Sequence, residues 1–263
     1  DRESINPLKF GIIASTDTHL GTPGAVDESS FQGHGGAGKS FRSSIPDGLP
    51  DDVEFNPGGL AVAWAEENSR SAIFDAFQRK EVYGTSGPRF IVRFFVGDNL
   101  DKNLCNNPDN ISYAYANATP MGGTIASDSL SQPSIFISAS ADSSIKDQFI
   151  EKLQVVKGVV RNGELLTTVH DVGVTNAQSK LDIANCEVTG SGEKAMCSVW
   201  NDPNFNSSEN AYYYVRVVAN KSCRWSHNLC LQNPEYCEAD SDASIPKAIQ
   251  ERAWTSPVWL ETT

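Results

Sequence analysis

An α/β section followed by β structure is the fold class that the sequence predicts, and three observations carry it. Phe10, Ile12 and Ile13 form a short apolar run that gives way to Ser15-Thr-Asp-Thr-His19, the pattern of a buried strand emerging at the rim of a sheet or barrel. A helical period at Ala72, Ile73, Ala76 and Phe77 is followed by an apolar run from Phe90 to Val96, expected to be an interior strand. From about residue 97 onward, short segments rich in β-branched and aromatic residues alternate with turns, which predicts a sandwich-like β domain. The expected division is therefore 1–96 for the α/β section and 97–263 for the β-rich accessory domain.

Taken in order, the chain opens with Asp1 to Lys9 directly before the apolar run. A lone strand of parallel type needs neighbours from later in the chain or from residues preceding Asp1, so a C-terminal portion of a larger protein is expected. Residues 21–60 are rich in Gly, Ser, Pro and Asp and read as a long surface excursion. Within it, Gly33-His-Gly-Gly-Ala-Gly38-Lys39-Ser40 fits a phosphate-binding loop pattern. That motif works only between a buried strand and a helix, and here polar residues precede it while Pro46 and Pro50 follow, so nucleotide binding is not expected. His34 reads as a loop residue within reach of a metal at Asp17.

Leu60 to Ala65 looks buried, and the helix, capped by Asn68 or Ser69, should run from about Ser69 to Lys80. Val82 to Arg89 is a tight turn into the next strand. Arg89, directly after Gly-Pro, offers a planar guanidinium fork for phosphate, sulfate or carboxylate, or equally a salt bridge anchoring the turn. Further strands are expected at Ser134–Ser138, Leu153–Val160, Leu165–Val172 and Tyr212–Val218, the middle two joined through an Asn162-Gly163 type I′ turn. Tyr212, Tyr213, Tyr214, Trp225, Trp254 and Trp259 read mainly as core. Six cysteines without C-x-x-C spacing suit the disulfides of an exported protein, and a bridge from Cys186 to Cys197 is expected across a Gly-Ser-Gly hairpin. A periplasmic or secreted location follows.

A formal charge of −12 excludes a sequence-independent nucleic-acid surface, which needs clustered Lys and Arg. No stretch approaches a membrane span. If strand geometry persists through the polar residues, Asp17 and His19 share one side, and a carboxylate oxygen beside an imidazole nitrogen suits zinc, manganese or iron. The same residues also suit a polar loop in which both satisfy backbone groups.

Longer motifs carry a family resemblance. Ser15-Thr-Asp-Thr-His19, Asn56-Pro-Gly-Gly-Leu-Ala-Val-Ala-Trp-Ala-Glu-Glu-Asn68, Glu81-Val-Tyr-Gly-Thr-Ser-Gly-Pro-Arg89, Cys223-Arg-Trp225 and Glu251-Arg-Ala-Trp-Thr-Ser-Pro-Val-Trp259 resemble the C-terminal part of the family of domain of unknown function 3604. Its members resemble the PHP (polymerase and histidinol phosphatase) metal-dependent hydrolases. The resemblance implies terminal elements of a PHP-like distorted (β/α) barrel before the β-rich domain, with Asp17 and His19 as ligands of a divalent metal. It also implies Asp17 and Arg89 as catalytic groups acting on a small-molecule ester, phosphoric first and sulfuric or carboxylic second. The superfamily's other His and Glu motifs are absent from a chain with four histidines, so a missing N-terminal segment of the same protein is expected as a partner. The competing class is a non-catalytic binding or structural module.

Overall fold

Turn chemistry and strand alternation, not crossover helices, set the architecture. The computed structural model describes residues 8–31, 55–176, 178–232, 234 and 246–262. The elements are β1 (Leu60–Ala63), α1 (Arg70–Arg79), β2 (Val82–Thr85), β3 (Ile91–Asp98), α2 (Asn110–Asn117), β4 (Ala118–Pro120), β5 (Thr124–Ala126) and β6 (Pro133–Ser140). They continue with β7 (Ile150–Arg161), β8 (Glu164–Val174), β9 (Ser179–Asp182), β10 (Glu187–Gly190), β11 (Ala195–Asn201), β12 (Ala211–Cys223), α3 (Trp225–Gln232), β13 (Ala248–Thr255) and β14 (Val258–Glu261).

Local chemistry explains several boundaries. Ser69 caps α1 by accepting from the Ala72 N–H at 3.3 Å, and the helix closes on Lys80 in the left-handed region at φ 58°. Asn162 and Gly163, at φ 54° and 80°, supply the paired left-handed residues that reverse β7 into β8.

β12 is the central strand of the larger sheet. One edge pairs with β7, which in turn pairs with β8; the other edge pairs with β14 near its start and with β13 beyond. β13 passes the sheet on to β2 and β1, and β14 to β5, the latter being the sheet's parallel contact. The smaller sheet runs β11-β6-β3-β4, antiparallel throughout. Between the two sheets lie Val92, Phe94 and Val96 of β3 and Ile135 and Ile137 of β6, against Leu153, Val155, Tyr213, Val215, Val217 and Ala253. The far face of the smaller sheet, through Phe95 and Phe136, is covered by Leu100, Leu104 and Ala114 of the α2 region.

Two expectations are corrected. The α/β section built as terminal elements of a PHP-like (β/α) barrel is not formed: strands are paired mainly antiparallel, and the described residues hold three α-helices and no barrel. A parallel barrel needs a crossover of a dozen or more residues between strands, whereas β7 and β8 are joined by a tight turn. Phe10 to Ile13 is not a strand, and Phe10 and Ile13 are 57% and 50% exposed. An apolar run alone does not specify its pairing partner. Strands from both sides of residue 96 share the larger sheet, and β3 of the smaller sheet runs across that position.

The expected Cys186–Cys197 bridge is likewise replaced. Cys105 joins Cys197, and Cys186 joins Cys223. Gly190-Ser-Gly192 does not fold back on itself but carries the chain from the β9–β10 pair to β11 in the smaller sheet, which separates Cys186 from Cys197. Cys230 is also disulfide-bonded. These bridges are compatible with a secreted or periplasmic protein. No helix among the described residues is long and apolar enough to cross a membrane. His34 and the Gly33–Ser40 pattern lie outside the described residues.

Candidate functional site

Where β2 stops at Thr85, the neighbouring edge of β13 is left open, and side chains from both faces of β13 reach one cleft there. Its volume is about 1840 Å³. One wall is the segment before β1. Ile12 donates its N–H to Ser256 Oγ at 2.9 Å, and Gly59 donates to the Ser15 carbonyl at 2.9 Å. The fit at Gly59 is tight enough that a Cβ would stand 1.9 Å from the Thr85 carbonyl oxygen and 2.8 Å from the Ala14 Cβ. Ala14 and Ser15 thereby become cleft residues.

Two carboxylates sit in this cleft. Glu251, on β13, is 5% exposed and accepts the Ser86 hydroxyl proton. The Arg252 N–H donates to the same Ser86 oxygen at 2.8 Å, so the turn after β2 is pinned to β13. Glu28 accepts the Trp225 N–H at the start of α3, and Asn228 Nδ2 donates to the Glu28 carbonyl at 3.1 Å. Arg224 reaches the Phe55 carbonyl at 2.5 Å and Ser226 Oγ at 2.7 Å, which fixes its guanidinium near Glu28. Burial pushes both carboxyl groups up to about 7, and the Glu251 charge adds to the effect on Glu28. The Trp225 N–H and Arg224 oppose the shift at Glu28, while Ser86 and Arg252 oppose it at Glu251.

Cations surround the pair. Lys180, Lys221, Arg224, Lys247 and Arg252 all line the cleft, in a chain whose Lys and Arg number 21 against 33 Asp and Glu. Glu151 is the third carboxylate in the lining, and it accepts from Gln250 Nε2 at 2.9 Å. The far wall is the β9–β10 pair, held to the end of β12 by the Cys186–Cys223 bridge and to α3 by a contact of 2.7 Å between His227 Nε2 and the Ile183 carbonyl.

The residues expected from sequence are elsewhere or only partly assembled. Asp17 adopts φ 54°, so strand geometry does not persist through it; a turn brings His19 Nε2 to 4.0 Å from its Oδ1. Its side chain is 93% exposed. Arg89 is exposed and outside the cleft lining, and its backbone N–H donates to Asp142 Oδ2 at 2.7 Å. Glu28, Ser86, Arg224, Glu251 and Arg252 received no chemical role from sequence. Four of them fall inside the long motifs around Tyr83, Cys223 and Trp254, which was the available signal; Glu28 falls in a Gly-rich loop and had none.

A family model described as protein of unknown function (DUF3604) matches residues 1–262. The chain belongs to that family. No curated protein and no solved structure matches it.

The divalent metal implied for this DUF3604 chain finds two donors at Asp17 and His19, and no third His, Cys, Asp or Glu among the described residues joins them. Two donors fall short of the three or four protein ligands that zinc takes. Cys186, Cys223 and His227 do cluster within 4.8 Å, but both sulfurs are spent in a disulfide and offer no thiolate.

Proposed function

We propose that the cleft hydrolyses an anionic ester, phosphoric or sulfuric, by paired acid–base action of Glu28 and Glu251. The observation that supports this most is the gathering of five cations in the cleft that holds the buried Glu251 and the half-buried Glu28, in a protein of net charge −12. Lys180, Lys221, Arg224, Lys247 and Arg252 would hold the charged group, with the arginine forks suited to its planar pairs of oxygens. Near neutral pH the two carboxylates share about one proton, because burial and mutual repulsion disfavour double ionisation. The ionised one accepts a proton from water as its oxygen bonds to the phosphorus or sulfur atom. The protonated one gives its proton to the leaving oxygen as that bond breaks, and one alcohol and one acid result.

The test is hydrolysis of nitrophenyl phosphate, sulfate and acetate by the full chain. Glu251→Gln and Glu28→Gln should each lower kcat by about 100-fold or more. An unmodified chain that cleaves neither the phosphate nor the sulfate, with or without added zinc or manganese, overturns the reading even if it cleaves the acetate.

The 4.0 Å approach of Asp17 to His19 favours a second, metal-assisted version, in which these residues are half of a site completed by a further segment of the same protein. Exposed apolar residues support such a segment: Phe10 and Ile13, together with Phe74 and Phe77 of α1. Full activity after chelation would remove the metal version and leave the carboxylate one. On the strength of the disulfides we read the protein as periplasmic or secreted.

A further inference from the structure

The outer face of the larger sheet carries an aromatic surface beside the cleft. Alternation along β12 sends Tyr213, Val215 and Val217 into the core, each fully buried, so Tyr212, Tyr214 and Arg216 stand on the opposite face. Tyr212 lies between Trp259 of β14 and Gly158 of β7 in the cross-strand register. A Cβ at Gly158 would stand 2.2 Å from Tyr212 Cζ and 2.3 Å from Cε1, so the ring lies across the β7 backbone and turns its other side outward. Tyr214 is within 15° of parallel to Tyr212 at a centroid distance of 6.4 Å, and the Trp259 indole is 5.4 Å from Tyr212. All three side chains are partly exposed.

The next rows of the same face give the surface its chemistry. Tyr214 faces Val156, which faces Val169 of β8, 49% exposed. One step further, Arg216, Gln154 and Asp171 form a hydrogen-bonded polar row: Arg216 Nε donates to Gln154 Oε1 at 2.7 Å, and Gln154 Nε2 to Asp171 Oδ1 at 2.6 Å. Lys152 donates to Asp171 Oδ2 at 3.0 Å. Arg216 also faces Trp254, which lines the cleft. Flat aromatic rings set directly beside planar donors and acceptors match a pyranose. Its C–H faces are attracted to the negative faces of aromatic rings, and its equatorial hydroxyls need paired polar partners. A purely apolar partner would strip water from the donors and acceptors of that row which its internal bonds leave over, without replacing it.

We propose that Tyr212, Tyr214 and Trp259 form a stacking platform for an oligosaccharide chain, with Arg216, Gln154 and Asp171 binding its polar groups. The platform stands whether or not the cleft is catalytic. Affinity electrophoresis of the full chain through gels containing xylan, laminarin, carboxymethylcellulose or alginate tests it. At least one polymer should retard the unmodified chain. Tyr212→Ala with Tyr214→Ala should weaken the association about tenfold or more. Tyr212→Phe with Tyr214→Phe keeps the rings and the register and should retain most of it. Glu251→Gln, a change confined to the cleft, should be retarded by the polymer as much as the unmodified chain when each is compared with its own mobility in a polymer-free gel. Retardation by none of the polymers, or equal retardation of the Ala variant, overturns the platform. So does concentration-dependent dimerisation of the unmodified chain that the Ala variant loses, because the face would then be an interface between copies.

Discussion

At the scale of single residues, Glu28 and Glu251 make folding stability depend on pH in a definite sense. Their folded pKa values, about 7, stand above the ordinary 4.5, so the folded chain holds protons that the unfolded chain releases. The stabilisation is complete below pH 4.5 and is lost as pH rises from there through about 7. Asp202 acts oppositely. Lys157 and Tyr213 hold its carboxyl below the usual range against the effect of burial, so its contribution is present above pH 3.8 and lost below. Thermal unfolding followed by circular dichroism should show a midpoint that falls steadily from pH 5 to pH 8. Glu251→Gln should flatten that slope, and an unchanged slope would mean that Glu251 titrates normally. None of this was legible in the sequence, because Glu28 and Glu251 come from opposite ends of the chain and only the folding of α3 and β13 brings them into one cleft. Asp17 and His19, two positions apart, were legible as neighbours, though a left-handed turn and not a strand brings them together.

At the scale of elements, the helix and the Asn-Gly turn, whose signals lie within a few residues, were read correctly. Val82 to Arg89, expected to be a turn, instead begins with the buried strand β2, and signals needing a distant partner were missed. The expected helix from about Ser69 to Lys80 is α1, its cap supplied by a hydroxyl three residues before the N–H it accepts. The Asn162-Gly163 turn is where it was expected, because its geometry is decided by two left-handed residues. Gly190-Ser-Gly192 marks a turn just as clearly, yet glycine specifies a change of direction and not which strand lies on the other side. The bridge across it was therefore misassigned. The true bridge, Cys105 to Cys197, spans 92 residues and ties the loop before α2 to β11. Replacing both cysteines by serine should lower unfolding free energy by about 2–4 kcal/mol with the β circular-dichroism signal retained. Urea titration reads this directly, and a loss under ~1 kcal/mol would mean that the α2 region is held by Phe95, Leu104 and Phe136 without the bridge.

At the scale of the whole molecule, the barrel expectation and the sandwich both begin from short apolar strands, and the distinction rests on what joins them. The β7–β8 turn and the paired edges of β12 commit the chain to antiparallel neighbours, which no reading of Phe10 to His19 alone could reveal. The same long-range folding concentrates charge. An acidic protein repels small anions on average, but Arg224 and Arg252 with three lysines turn one cleft into a local exception. Inorganic phosphate or sulfate should therefore bind there and raise the unfolding midpoint, by linkage to the folded state. The rise should shrink as sodium chloride is increased, since exposed lysines at the rim are screened within about 10 Å at 0.1 M salt. Arg252→Ala should reduce it further, because it removes one of the two guanidinium groups that line the cleft. Differential scanning calorimetry at fixed pH and matched ionic strength separates the specific effect from general salt stabilisation. An equal shift with phosphate in the Arg252→Ala and unmodified chains would mean that the cations line the cleft without converging on a common anion.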